Sequence, residues 1–123
     1  MYRVQRIYDF HTLPPHTAAV FVDRLYPRGI EKARMAGVLW LKELTPSAAL
    51  RKWYHQDTAA NFAVFSSRYL EELHGETQQQ ALGRLKALAA QQDVWLLTAV
   101  KQPQQSHVSV LLADLGEPFV WVD

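Results

Sequence analysis

The 123-residue chain contains no cysteine. This absence excludes disulfide bonds, thiolate nucleophiles and zinc sites that use cysteine ligands. Long apolar runs are also absent, because every such run is far shorter than the ~20 residues that span a bilayer. No segment has the charged-then-apolar pattern of a signal peptide. We therefore expect a cytoplasmic protein that does not associate with membranes.

An excess of one charge is lacking as well, since 13 Lys and Arg face 12 Asp and Glu and the formal net charge is +1. Nothing in this balance indicates a nucleic-acid partner. The five glycines form no phosphate-binding loop, and the five histidines lack the close spacing of metal ligands. We expect neither a cofactor nor a metal, and the sequence leaves the oligomeric state open.

The length is that of one domain, covering residues 1–123. Strands are predicted where apolar and polar residues alternate or where apolar residues form a short run. Helices are predicted where apolar residues recur every three or four positions next to capping residues. The predicted strands are 2–8, 18–24, 94–100 and 119–122. Helices are predicted for the second half of 30–44, for a segment capped by Thr45, and for a segment that is capped by Asp57 or Thr58 and ends at a left-handed Gly75. Two more are predicted at 76–92 and 104–115. A long helical stretch joins 18–24 to 94–100, which predicts a parallel pair; the direction of the first strand stays open. This order predicts a small α/β three-layer sandwich with a mainly parallel sheet flanked by helices.

The stretch 20–29 begins as a buried strand and ends in a charged, stiff turn with Pro27 and Gly29. The carboxyl ends of parallel strands share one edge of a sheet, where open α/β sheets bind ligands. We expect charged and titratable side chains from three segments to converge there. The turn contributes Asp23, Arg24 and Arg28, the end of 94–100 contributes Lys101, and the start of the last helix contributes His107.

These residue types favour a small anion of the phosphate or nucleotide type. In this interpretation Arg24, Arg28 and Lys101 bind the ligand, and Asp23 and His107 are candidate catalytic groups that move a proton. Whether a reaction takes place is left open by the sequence.

Two alternatives fit the same residues. The chain can be a non-catalytic module that binds a protein or a nucleic acid, which predicts a flat surface with no pocket at this edge. The charged turn can also be purely structural, with Asp23 paired to Arg24 or to a neighbouring helix. In that case Arg24→Ala would leave a buried carboxylate unpaired and would unfold the protein.

The motifs of the chain resemble the YeaO-like family, the domain of unknown function number 488. The resemblance lies in Arg6-Ile7-Tyr8-Asp9, Val22-Asp23-Arg24-Leu25-Tyr26-Pro27-Arg28-Gly29, Trp40-Leu41-Lys42-Glu43-Leu44-Thr45-Pro46-Ser47, Leu50-Arg51-Lys52-Trp53, and the segments from Phe65 to Leu73 and from Leu96 to Leu111. It implies a small bacterial or archaeal cytoplasmic α/β protein whose activity is not characterised. Asp23, Arg24, Pro27, Arg28 and Gly29 match the family turn, and Lys101 matches the lysine that ends the last buried strand. Gln102 stands where the family commonly has Asp or Asn, which removes a second carboxylate beside Asp23.

Overall fold

The computed structural model describes all residues, 1–123. Five strands form one sheet: β1 (Tyr2–Arg6), β2 (Thr17–Phe21), β3 (Val38–Trp40), β4 (Asp93–Thr98) and β5 (Phe119–Trp121). Five α-helices accompany them: α1 (Lys32–Met35), α2 (Ala48–Gln56), α3 (Thr58–Leu73), α4 (Glu76–Gln91) and α5 (His107–Leu115). Short 3-10 helices lie at Ile7–Asp9, Lys42–Leu44 and Pro103–Gln105. No helix has the length and apolar character needed to cross a membrane.

The strand order in the sheet is β3-β2-β4-β1-β5, and every pair is parallel. This confirms the predicted α/β class and the parallel pairing of the two best core strands. β1 also runs parallel to β4, so the direction that the sequence left open is the same for all five strands. All strand carboxyl ends therefore meet at one edge.

The two faces of the sheet are covered unequally. The larger core, 21 buried residues, lies between one face and the helices α2 to α5. The other face carries a core of only 6 buried residues, covered by the segment around Ile7 and Phe10, the loop around Ile30 and the short helix α1. The third layer of the sandwich is consequently thin and consists mostly of loop.

Several boundaries differ from the predicted ones. Val38–Trp40 is a strand rather than part of a helix, because it pairs with β2 at the sheet edge. Ser47, not Thr45, caps α2, since its Oγ accepts a hydrogen bond from the Leu50 N–H at 3.2 Å. Gly75 has φ −62 and precedes α4, so it is not the left-handed end of α3. Asp57 does cap α3, through the Ala60 N–H at 3.1 Å.

Candidate functional site

A cavity of about 340 Å³ opens at the carboxyl edge of β2 and β4. The turn after β2, the loop after β4, the start of α5 and the facing sides of α2 and α3 form its wall. The residues that line it are Tyr8, Asp23, Arg24, Leu25, Tyr26, Pro27, Arg28, Thr45, Pro46, Arg51, Tyr54, His55, Phe65, Ala99, Val100, Ser106 and His107. Four of the five residues predicted from the sequence are among them, and Lys101 is not.

Hydrogen bonds fix the turn after β2. The Trp40 indole Nε1–H donates to the Asp23 carbonyl at 2.6 Å, and the Tyr26 hydroxyl donates to the Ile30 carbonyl at 2.8 Å. Gly29 supplies a φ of 75, a left-handed conformation that favours glycine. The backbone between Asp23 and Ile30 is thus held at several points, and it presents Arg24 and Arg28 at the cavity.

The Asp23 carboxylate binds the end of β4 rather than an arginine. Its Oδ1 accepts from the Thr98 hydroxyl at 2.6 Å and its Oδ2 accepts from the Ala99 N–H at 2.7 Å. The exposed Arg24 forms no ion pair with it, so the predicted Asp23–Arg24 clamp is wrong. The structural partner of Asp23 is the neighbouring strand end, which ties β2 and β4 together at the floor of the site.

His107 is the first residue of α5 and is buried beside Asp23. Its Nε2 lies 2.8 Å from the Val22 carbonyl oxygen and 3.5 Å from Asp23 Oδ1. A carbonyl only accepts, so Nε2 carries a proton. Desolvation by burial lowers the pKa of His107, and it outweighs the opposing effects of the Asp23 charge and the Val22 hydrogen bond. The ring is therefore neutral at pH 7, and Nδ1, which has no partner in the protein, is an acceptor.

Three arginines line the cavity: Arg24, Arg28 and Arg51. None of them has a carboxylate within 4.0 Å, and the buried Arg51 Nε has no hydrogen-bond partner. Arg24 lies at the rim, because it also lines a shallow depression with Glu43 and Glu72. Guanidinium groups are hydrogen-bond donors that match the geometry of carboxylate and phosphate groups.

Aromatic and apolar side chains form the rest of the wall. Tyr54 stacks on Phe65 with ring centroids 4.1 Å apart, and the Tyr54 hydroxyl donates to the Gln105 carbonyl at 2.9 Å. The Ser106 hydroxyl has no free donor, since it donates to the Pro103 carbonyl and also accepts from the Val108 N–H. The start of α5 is thus capped by its own side chain, and the arginines rather than Ser106 supply the free donors.

Comparison with known proteins identifies the family. A family model described as "Domain of unknown function DUF488" matches residues 3–115. The chain belongs to the DUF488 family.

The chain is 38% identical over 109 residues to the uncharacterized proteins Mb3100c of Mycobacterium bovis and Rv3073c of Mycobacterium tuberculosis, covering 89% of this chain and 88% of each relative. It is 41% identical over 92 residues to the uncharacterized protein YeaO of Escherichia coli, covering 75% of this chain and 77% of that protein. No solved structure shows a significant match. The YeaO-like resemblance read from the motifs is confirmed.

In this DUF488 chain the matched region contains every residue that the sequence singled out for the site. Asp23, Arg24, Arg28 and His107 meet at the cavity, whereas Lys101 is exposed and lines the neighbouring depressions. Arg51 was missed as a site residue. Its only signal in the sequence was its place in the Leu50-Arg51-Lys52-Trp53 motif, which by itself carries no chemistry.

Proposed function

We propose that this DUF488 protein binds a small anionic ligand of the phosphate or nucleotide type in the cavity at the carboxyl edge of the sheet. The observation that carries the proposal is the presence of Arg24, Arg28 and Arg51 around one cavity with no carboxylate paired to any of them. A ligand oxyanion supplies the missing counter-charge. The cavity volume of about 340 Å³ lies within the range of small-molecule sites.

Arg51 is the strongest binding group in this proposal. It lies half-buried on α2, where water screens a charge less than at the surface, and its Nε lacks any partner. Arg28 and Arg24 are exposed and complete the anion site from the turn. Lys101 contributes from outside the cavity.

The buried pair Asp23 and His107 suits two different roles. Both Asp23 oxygens accept hydrogen bonds from Thr98 and Ala99, so Asp23 acts as a positioning residue. The neutral His107 ring has Nδ1 free to accept a proton from a bound hydroxyl or water. If the ligand reacts in this site, His107 is the general base.

The alternative, a module that binds a protein or nucleic acid on a flat surface, predicts no cavity at this edge. The enclosed position of Arg51 and the apolar wall around it favour the small-ligand proposal instead. The net charge of +1 provides little overall electrostatic attraction for nucleic acid.

A thermal-shift experiment with matched variants tests the proposal. Wild type, Arg28→Ala, Arg51→Ala and the control Arg84→Ala, an exposed arginine on α4, are heated with phosphate, sulfate and mononucleotides. A ligand at 100 times its Kd adds about 2.7 kcal/mol to the free energy of unfolding. We expect stabilisation of wild type and Arg84→Ala that is absent or much smaller in the two cavity variants. Equal shifts in all four proteins, or no shift with any anion, would overturn the proposal.

A further inference from the structure

A second depression adjoins the cavity that Arg24, Arg28 and Arg51 line (the arginine cavity) and lies on the side of α3. It measures about 770 Å³ and shares four lining residues with the first: Tyr54, His55, Val100 and Ser106. A ligand bound among the arginines therefore meets this depression as soon as it extends past Tyr54 and His55. Inorganic phosphate is too small to reach it.

The chemistry of the second depression differs from that of the first. Its outer wall contains the exposed amides of Gln102 and Gln105 and the hydroxyl of Thr58, and none of these side chains forms a hydrogen bond within the protein. A carboxamide offers a donor and an acceptor side by side, which matches the edge of a nucleobase. Lys101 also lines this depression and adds a positive charge.

Flat rings lie between the two depressions and along the second. The exposed His55 ring is 5.5 Å from that of Tyr54, and Phe62 packs 6.1 Å from Tyr54. Aromatic rings stack on the faces of bases whatever the base. The second depression thus combines ring faces with amide groups that have no partner within the protein.

We propose that the ligand is a mononucleotide, with its phosphate among Arg24, Arg28 and Arg51 and its base in the second depression between His55, Phe62 and the two glutamines. This inference rests on the proposed anion site and specifies what is attached to the anion. It also gives Lys101 a place, beside the base or sugar rather than at the phosphate.

Calorimetric titration of the full chain tests the mononucleotide proposal with ligands that differ by one chemical group. Inorganic phosphate, ribose 5-phosphate and the 5′-monophosphates of adenosine, guanosine, cytidine and uridine are titrated into wild type. We expect at least one mononucleotide to bind at least tenfold more tightly than ribose 5-phosphate, which lacks only the base. Equal affinity of ribose 5-phosphate and all four mononucleotides would overturn the inference while leaving the anion site intact.

Variants of the second depression locate the base. The double variant Gln102→Ala with Gln105→Ala, and separately His55→Ala, change exposed side chains, and Gln91→Ala on α4 is the control. We expect both to lose most of the advantage in affinity that the mononucleotide has over ribose 5-phosphate. The glutamine double variant, whose two positions lie outside the arginine cavity, should in addition bind phosphate as wild type does. An advantage that persists in both variants would overturn the placement of the base. If phosphate, ribose 5-phosphate and nucleotides all fail to bind wild type, the proposed anion site fails as well.

Discussion

Asp23 connects two strand ends at the site. The Thr98 hydroxyl and the Ala99 N–H both donate to its carboxylate, and Thr98 Oγ1 in turn accepts from the Val100 N–H at 3.2 Å. Only 13% of the Asp23 side chain is exposed. A buried charge of this kind is tolerated because hydrogen bonds replace its water. The shape of the cavity floor therefore depends on this one carboxylate.

Replacing Asp23 by asparagine should destabilise the fold. One of the two donors then faces an amide N–H group instead of an oxygen, and a lost charge-assisted hydrogen bond costs about 1.5–3 kcal/mol. We expect a decrease of this size in the free energy of unfolding, measured by urea denaturation. Arg24→Ala is the control and should change it by less than about 0.5 kcal/mol, since Arg24 is exposed and unpaired. A larger effect at Arg24 than at Asp23 would contradict this assignment.

The stability of the protein should depend on pH through His107. Burial lowers its folded-state pKa below the ordinary value of 6.5, so below that pH the unfolded state binds a proton that the folded state excludes. Stability from this group is thus fully present above pH 6.5 and is lost as the pH falls, with a slope of at most about 1.4 kcal/mol per pH unit. Urea unfolding of wild type and His107→Gln from pH 7.5 to pH 5 measures the difference. Parallel curves for the two proteins would show that His107 is not buried as a neutral ring.

At the scale of secondary structure, β2 and β4 were predictable because their residues are nearly all apolar, as in strands that are covered on both faces. β3 was not predictable. Its three residues are half-buried, and the spacing of Leu39, Trp40 and Leu44 also fits a helix. Only the pairing with β2, which is a tertiary contact, makes this segment a strand. The conformation of Gly75 was not predictable either. A glycine between two helices indicates a boundary, but it does not indicate whether the glycine ends the first helix or precedes the second.

The helix α2 carries Arg51 and Tyr54 to the cavity, and its start is fixed by Ser47. The Ser47 hydroxyl accepts from the Leu50 N–H and donates to Glu72 Oε2 at 2.6 Å, while the Ser47 N–H donates to Glu72 Oε1 at 2.8 Å. This arrangement joins α2 to α3. The position of Arg51 therefore depends on a cap that lies a full turn before it.

Ser47→Ala should lower the free energy of unfolding by about 1–2 kcal/mol, because it removes the cap and one bond to Glu72. Thr45→Ala is the matched control. The Thr45 hydroxyl only donates to the nearby Lys42 carbonyl, so its loss should cost less than about 0.5 kcal/mol. Thermal or urea unfolding distinguishes the two variants. A larger decrease in the free energy of unfolding for Thr45→Ala than for Ser47→Ala would show that Thr45 caps the helix, as the sequence pattern predicts.

The site as a whole could be predicted only in part. Asp23, Arg24, Arg28 and His107 follow strand ends or begin a helix, and parallel topology brings such positions to one edge. Arg51 could not be found this way, because it lies within a helix that packs over the edge. Lys101 was placed in the cavity by the same topological rule, but the loop after β4 carries its side chain to the outer side.

For the whole molecule, the net charge of +1 provides little overall attraction for anions, so the proposed anion site depends on the local charge of its arginines. The most direct measurement is an NMR titration of the ¹⁵N-labelled protein with inorganic phosphate, which reports on every backbone amide at once. We expect saturable shifts confined to residues around 23–28, 51–55 and 99–107. These shifts should be lost in Arg28→Ala combined with Arg51→Ala and kept in Arg84→Ala. Shifts centred elsewhere, or none at millimolar phosphate, would contradict an anion site at the carboxyl edge of the sheet.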